Sequence, residues 1–374
     1  MDSQGASAHS VIARVWHLRL LSRALRWTNQ VTRALATCAL AGCVVSATHA
    51  AETVQAISPP TNPGSLRMYK YVPDGLSAGA PLVVALHGCK QSAGSFDNES
   101  GWTSRADASR FALLFPEQQE ANHRDRCFRF FSTDHNRRDQ GEAASIRAMI
   151  EEMKASHGID PGRIFVTGLS AGGGMTAVML AAYPEVFQAG AIIAGLPYGC
   201  ASTGGSITLA WQRYWTDVWY GQGAWATTRC GITPDGFPGR LTAVSRTPDE
   251  WRERLAEAGG TRPAVWPRVS IWQGDQDGRV DPANLVELMK QWTAAHGIDQ
   301  ASDEENPSAS EPTHRHRTYQ DANGRVRVET IEVFGLGHAM PVNPSSGCGR
   351  IGRSFENVGV CAASSIASSW GLGR

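Results

Sequence analysis

Residues 163–182 decide the fold: Arg163-Ile164-Phe165-Val166-Thr167-Gly168-Leu169-Ser170-Ala171-Gly172-Gly173-Gly174-Met175-Thr176-Ala177-Val178-Met179-Leu180-Ala181-Ala182. The first five residues are β-branched or aromatic enough to read as a buried strand. The stretch after Gly172 reads as a helix. Between them Gly168-Leu169-Ser170-Ala171-Gly172 turns sharply, and strand, turn and helix together form a nucleophile elbow. Small residues must flank the serine because its backbone is strained and neighbouring strands come close. The turn also sets the Ser170 hydroxyl at a helix N-terminus, where backbone N–H groups favour developing negative charge. G-x-S-x-G alone occurs by chance, as a glycine-rich turn with an ordinary exposed serine. The strand before and the helix after raise it above that.

Working outward, the same alternation repeats. Strands are predicted over 66–72, 81–86, 111–115, 190–195 and 268–272. Helices are predicted over 102–110, 142–157, 247–258, 282–296 and 362–370. Pro81 to Leu86 is apolar without a break, as a strand covered on both faces should be. Ile146, Met149, Ile150 and Met153 share one helix face. Asn323-Gly324 signals a hairpin between 314–319 and 325–334. Alternating strands and helices imply an α/β fold with a mostly parallel sheet and helices on both faces. Residues 201–245 interrupt the rhythm with Trp211, Tyr214, Trp215, Trp219, Tyr220 and Trp225. This insertion reads either as a rim for an apolar substrate or as a local satellite core. Residues 299–312, acidic and Ser/Pro-rich, read as a surface loop.

Three loops after strands carry reactive groups in the order Ser170, Asp277, His338. A serine hydroxyl is a weak nucleophile until an imidazole takes its proton, and that imidazole needs an acid to fix its tautomer. Asp275 and Asp281 compete with Asp277, but the form Gly-x-x-Asp-x-x-Val favours Asp277 as the acid. Asp275 suits holding the turn. Backbone N–H groups of Cys89 and Ala171 are the expected oxyanion donors. His87 suits bracing that loop better than serving as a second base. His338 has its own bland alternative as a turn histidine.

The 374-residue chain is long enough for a large core, and its 35 basic and 35 acidic residues balance. That balance carries no footprint for nucleic acid. No stretch beyond the N-terminus is apolar for long enough to span a bilayer. Residues 1–51 combine five arginines with an apolar run and small residues, the pattern of an export signal. Leu40-Ala41-Gly42-Cys43 offers a second reading, lipid anchoring at Cys43. Residues 52–64 are a Pro-rich linker, and 65–374 the catalytic domain. Six cysteines outside the leader suit an oxidising compartment, and sequence leaves their pairing open. Neighbours along the chain would give Cys89–Cys127, Cys200–Cys230 and Cys348–Cys361. No cysteine or histidine cluster has zinc spacing, and neither metal nor organic cofactor is called for.

Pro81-Leu82-Val83-Val84-Ala85-Leu86-His87-Gly88-Cys89-Lys90-Gln91, Phe115-Pro116-Glu117-Gln118, Gly168-Leu169-Ser170-Ala171-Gly172-Gly173, Ala194-Gly195-Leu196-Pro197-Tyr198-Gly199-Cys200-Ala201 and Gly337-His338-Ala339 together resemble the extracellular polyhydroxybutyrate depolymerase family of esterases. That family includes feruloyl-esterase-like lipoproteins, and the resemblance spans about 65 to 370. It implies an α/β-hydrolase fold and a serine esterase acting outside the cytoplasm, and a monomer is expected. Ser170 would be nucleophile, Asp277 acid and His338 base. Periplasmic or envelope-anchored locations are the alternatives. Two departures, Phe128-Arg129-Phe130-Phe131 after Cys127 and Met340 after His338-Ala339, fall where the acyl pocket is expected. Nothing before Arg374 resembles the polymer-binding module of solid-polymer depolymerases. Hydroxybutyrate oligomers or amorphous polymer are therefore the expected substrates, with feruloyl or acetyl esters of xylan as the alternative. The alternative in kind is a non-catalytic polymer-binding protein on a hydrolase scaffold.

Overall fold

The computed structural model describes residues 54–55, 61–201, 223–260, 263–306 and 313–372. The leader, Cys43 and Trp211, Tyr214, Trp215, Trp219 and Tyr220 of the insertion lie outside the described residues.

Leu82–Leu86 alternates its side chains between two apolar layers, with Leu82, Val84 and Leu86 on one face and Val83 and Ala85 on the other. A strand buried on both sides in this way must sit in the middle of a sheet. The strands in chain order are β1 Val54–Gln55, β2 Arg67–Tyr71, β3 Leu82–Leu86, β4 Ala112–Glu117, β5 Ile164–Leu169, β6 Ala189–Ile193, β7 Arg268–Gly274, β8 Glu304–Asn306, β9 His314–Gln320 and β10 Val326–Val333. Among the described residues they form one sheet in the order β1-β2-β4-β3-β5-β6-β7-β10-β9-β8. From β4 to β10 every neighbour is parallel, and both edges are antiparallel. The chain passes from β3 to β4 on one side, then crosses to β5 on the other. In open α/β sheets the carboxyl ends at such a switch point form the ligand crevice.

The helices are α1 Ala93–Ser100, α2 Trp102–Ser109, α3 Gly141–His157, α4 Ala171–Ala182, α5 Ala224–Arg229, α6 Pro248–Ala256, α7 Asn284–His296 and α8 Ala362–Ser369. Helices α3, α4, α6 and α7 supply one layer, and α1, α2 and α8 the other. Trp370, just past α8, stacks on Phe165 of β5 at 4.8 Å and on Trp102 of α2 at 5.8 Å. It ties the last helix to the elbow strand. Helix α6 starts where sequence placed it: Thr247 and Glu250 make a reciprocal capping box, with Pro248 in the first turn.

Four details differ from expectation. Helix α1 was not foreseen. The 299–312 loop contains β8, which pairs with β9 and extends the sheet. Met340–Val342 (β11) and Phe355–Asn357 (β12) form a small parallel pair beside the main sheet. Met340 is fully buried there, among Ala339, Val342 and Phe355, so it packs in the core and does not border an open acyl pocket. Trp225, the one tryptophan of the insertion among the described residues, is buried in the main core and donates through Nε1 to Ala201 O at 2.6 Å. That part of the insertion is core.

Candidate active site

Ser170 ends β5 and caps α4 with φ 59° and ψ −118°, a conformation non-glycine residues rarely adopt. Such strain costs about 1–3 kcal/mol and must be held by its surroundings. Ser170 N–H donates to Ile193 O on β6, and Ser170 O accepts from Gly174 N–H, both at 2.9 Å. The glycines after it are space requirements. A Cβ on Gly172 would sit 2.2 Å from Leu86 O, one on Gly173 2.9 Å from the Gly195 Cα, and one on Gly174 2.7 Å from the Phe130 ring. Helix α4 can approach β3 and β6 this closely only because those three side chains are missing. Phe130, a departure from the family pattern, packs on the elbow helix.

The loop after β3 closes on the serine, with the Cβ position of Gly88 3.5 Å from that of Ser170. Both polar ends of Gly88 are clamped. Its N–H donates to Gln91 Oε1 at 2.7 Å, and its carbonyl oxygen lies 2.7 Å from His87 Nδ1. His87 Nε2 accepts the Gln118 N–H at 3.0 Å, so Nδ1 carries the proton and donates it to Gly88 O. Burial holds the imidazole neutral, lowering its pKa to about 4. With the Gly88 carbonyl fixed, the planar trans peptide turns the Cys89 N–H the opposite way. Among the described residues no acceptor meets the N–H of Cys89 or of Ala171, the first residue of α4. Cys89 is bonded to Cys127, which ties this loop to the segment after β4. The chain-order pairs Cys200–Cys230 and Cys348–Cys361 form as well.

Asp277 lies in the turn after β7 and is fully buried. One carboxylate oxygen accepts the N–H groups of Arg279 and Val280 at 2.8 and 2.9 Å. The other accepts Gln273 Nε2 at 2.9 Å and lies 2.8 Å from His338 Nδ1. A buried acceptor on Nδ1 selects the tautomer with the proton there and leaves Nε2 as the basic nitrogen. The rivals are occupied elsewhere. Asp275 accepts the Gly335 N–H at 2.7 Å, and Asp281 the Ala243 N–H at 2.8 Å. The His338 loop is folded back over β7, with Leu336 O accepting the Gln276 N–H at 3.1 Å. A Cβ on Gly274 would strike that carbonyl at 2.2 Å.

The structure therefore brings Asp277 to His338 and Ser170 to the Cys89 loop. Among the described residues no hydrogen bond joins Ser170 to the imidazole. In ligand-free hydrolases this bond is often long and tightens on substrate. Sequence reasoning missed Gln91, Gln118 and Glu142. Glu142, buried at the start of α3, accepts Gln118 Nε2 at 2.6 Å and the Arg129 N–H at 2.7 Å. Burial raises its pKa to about 7. The chain Glu142–Gln118–His87–Gly88 thus runs from the core to the loop beside the serine. Its partners are far apart in sequence, and only polar residues inside buried motifs hinted at it.

Residues 66–213 match the family described as Esterase PHB depolymerase. Poly(3-hydroxyalkanoate) depolymerase C of Paucimonas lemoignei is 40% identical over 317 residues, covering 83% of this chain and 68% of that one. Acetylxylan esterase of Coprinopsis cinerea is 32% identical over 282 residues, covering 75% and 67%. Among solved structures, acetyl xylan esterase from Aspergillus awamori superposes with a TM-score of 0.62 at 24% identity, covering 79% and 97%.

Proposed function

The chain belongs to the PHB depolymerase esterase family, with its α/β-hydrolase fold and carboxylic ester hydrolase activity, and on that premise we propose an exported serine esterase that cleaves hydroxyalkanoate esters through an acyl-enzyme. Ser170 attacks the ester carbonyl while His338 Nε2 takes its proton. Asp277 holds the imidazole and stabilises the imidazolium. The oxyanion sits between the N–H groups of Cys89 and Ala171, each such donor contributing about 3 kcal/mol to the transition state. His338 then protonates the departing alkoxide, and water repeats the sequence to free the acid.

The observation that carries this reading is the 2.8 Å contact from His338 Nδ1 to a carboxylate that is wholly buried and bonded on both oxygens. A structural turn histidine has no need of such a partner. Three disulfides suit a protein that works outside the reducing cytoplasm. The 40% identical relative favours polyhydroxyalkanoate esters, and the 32% identical acetylxylan esterase supports a second reading, acetyl groups on xylan.

A fluorophosphonate probe should label the wild type and spare Ser170→Ala. In the same pair, hydroxybutyrate trimer, acetylated xylan and methyl ferulate should be assayed side by side. Trimer turnover lost in Ser170→Ala supports the proposal. A wild type that neither labels nor hydrolyses any ester would sink it in favour of a binding protein.

A further inference from the structure

We propose that Phe237, on a loop strapped across the mouth of the site, sets acyl-chain specificity; the inference rests on the serine-esterase reading above. Residues 233–241 leave the body at Thr233 and return at Leu241, whose N–H donates to Thr233 Oγ1 at 3.0 Å and closes the neck. Below the neck, Cys230 is bonded to Cys200 and bridges Ala243, and Ile232 bridges Val280. The stem is cross-linked to the body, and the tip, 234–240, is exposed throughout.

The tip is tied to two loops of the site. Thr233 N–H donates to Arg279 O at 2.7 Å, and Arg279 Nη1 donates to Thr233 O at 2.8 Å. One Asp235 oxygen pairs with Arg279, and the other with Lys90 Nζ at 3.2 Å. Arg279 also gives its N–H to Asp277, and Lys90 directly follows Cys89. Lys90 therefore belongs to the loop after β3 and Arg279 to the turn after β7. Strands β5 and β6 lie between those two in the sheet. A segment fastened to both crosses the carboxyl ends of β5 and β6, and Ser170 stands at the end of β5.

At the tip Phe237 is 47% exposed, held by a turn in which its N–H donates to Pro234 O at 3.2 Å. Gly236 and Gly239 supply positive φ, and Pro234 and Pro238 stiffen the turn. Among the described residues the Phe237 ring has no aromatic or cationic partner, so a large apolar side chain is left half exposed on the strap. The chemistry chooses which part of the substrate it meets. His338 must face the leaving oxygen, and its loop arrives from β10, beyond β7. The acyl chain then extends the other way, toward Cys89 and Lys90, under the end of the strap that Lys90 holds.

The test is kcat/KM for p-nitrophenyl acetate, butyrate and octanoate in wild type, Phe237→Ala, Asp235→Asn and Val265→Ala. Val265 is also exposed, at 57%, but precedes β7, at the opposite end of the sheet. The octanoate-to-acetate ratio should fall about tenfold in Phe237→Ala, chiefly through KM, as for other apolar contacts. It should fall by less in Asp235→Asn and hold in Val265→Ala. An unchanged ratio in Phe237→Ala, an equal loss on all three esters, or the same drop in Val265→Ala would overturn the proposal. Fluorophosphonate labelling of each variant separates the two levels. A labelled wild type with an unchanged ratio removes only the role of Phe237, whereas an unlabelled wild type removes the esterase reading beneath it.

Discussion

Two carboxylates two residues apart differ in their hydrogen-bond partners, and the partners separate their roles. Asp277 faces the imidazole, whereas Asp275 accepts the Gly335 N–H and pins the start of the loop that carries His338. Asp277→Asn keeps the shape but offers His338 the wrong tautomer, so kcat should fall by about 10⁴ with KM little changed. Asp275→Asn retains an oxygen for Gly335 and should stay within about tenfold of wild type, since the oxygen it replaces bonds only Gln276 Nε2, at 3.3 Å and exposed. Steady-state kinetics on one p-nitrophenyl ester decides, and the reverse order of effects would reassign the acid. Ser170, Asp277 and His338 could be proposed from sequence because the chemistry demands those side chains after strands, within two residues of a glycine. Gln91 could not. Its two bonds reach Gly88, three residues away, and Arg353 O, far down the chain, and no local pattern marks such a pair.

At the level of elements, the loop after β3 is held by the His87 and Gln91 clamps and by the Cys89–Cys127 bond. The bond closes a 38-residue separation, and a loop of that size limits the unfolded chain by about 4 kcal/mol in the chain-entropy picture. The double variant Cys89→Ser/Cys127→Ser should lose roughly that stability in urea unfolding. It should also lose kcat with KM held, because a slack donor stabilises the oxyanion less. Full kcat in a destabilised double variant would make the bond a staple with no part in catalysis. The elements missed in sequence share a cause. Helix α1 is short and mostly polar, and its capping box between Ser92 and Ser95 uses serine where glutamate is the familiar sign. Strand β8 is Glu304-Glu305-Asn306, wholly exposed and with no apolar face to show a period of two. It is held instead by pairing with β9 and by Glu305 against Arg315 and Arg317. The buried strands were legible because cover on both faces leaves an unbroken apolar run, and α3 because a buried stripe writes a helical period into its residues.

For the molecule as a whole, burying ionisable side chains in two apolar layers makes stability depend on pH. His87, His135 and His296 are each held to a pKa of about 4, chiefly by burial. His296 donates its Nε2–H to Pro267 O at 3.1 Å, a bond that favours the charged form but is outweighed by burial. Between pH 4 and 6.5 the unfolded chain binds protons on these residues that the folded chain refuses, so stability rises with pH. Glu142 opposes this. With its pKa raised to about 7, the folded chain keeps a proton that the unfolded chain releases above pH 4.5, so its contribution falls as pH rises to 7. Burial lowers His157 and His314 as well and raises Glu99, so below pH 6.5 the histidines outnumber the opposing Glu142 and Glu99, and between 6.5 and 7 Glu142 dominates. Tm measured from pH 4 to 8 should therefore climb steeply to about pH 6.5, dip slightly and level off. His296→Gln keeps a donor for Pro267 and cannot charge, so it should flatten the acid limb, recovering about 1–3 kcal/mol at pH 4.5. Glu142→Gln should remove the dip and leave the acid limb steeper. A Tm that is flat or falling between pH 4.5 and 6.5 would mean that these imidazoles take up protons without leaving the core, and that the two layers are more open to water than their burial implies.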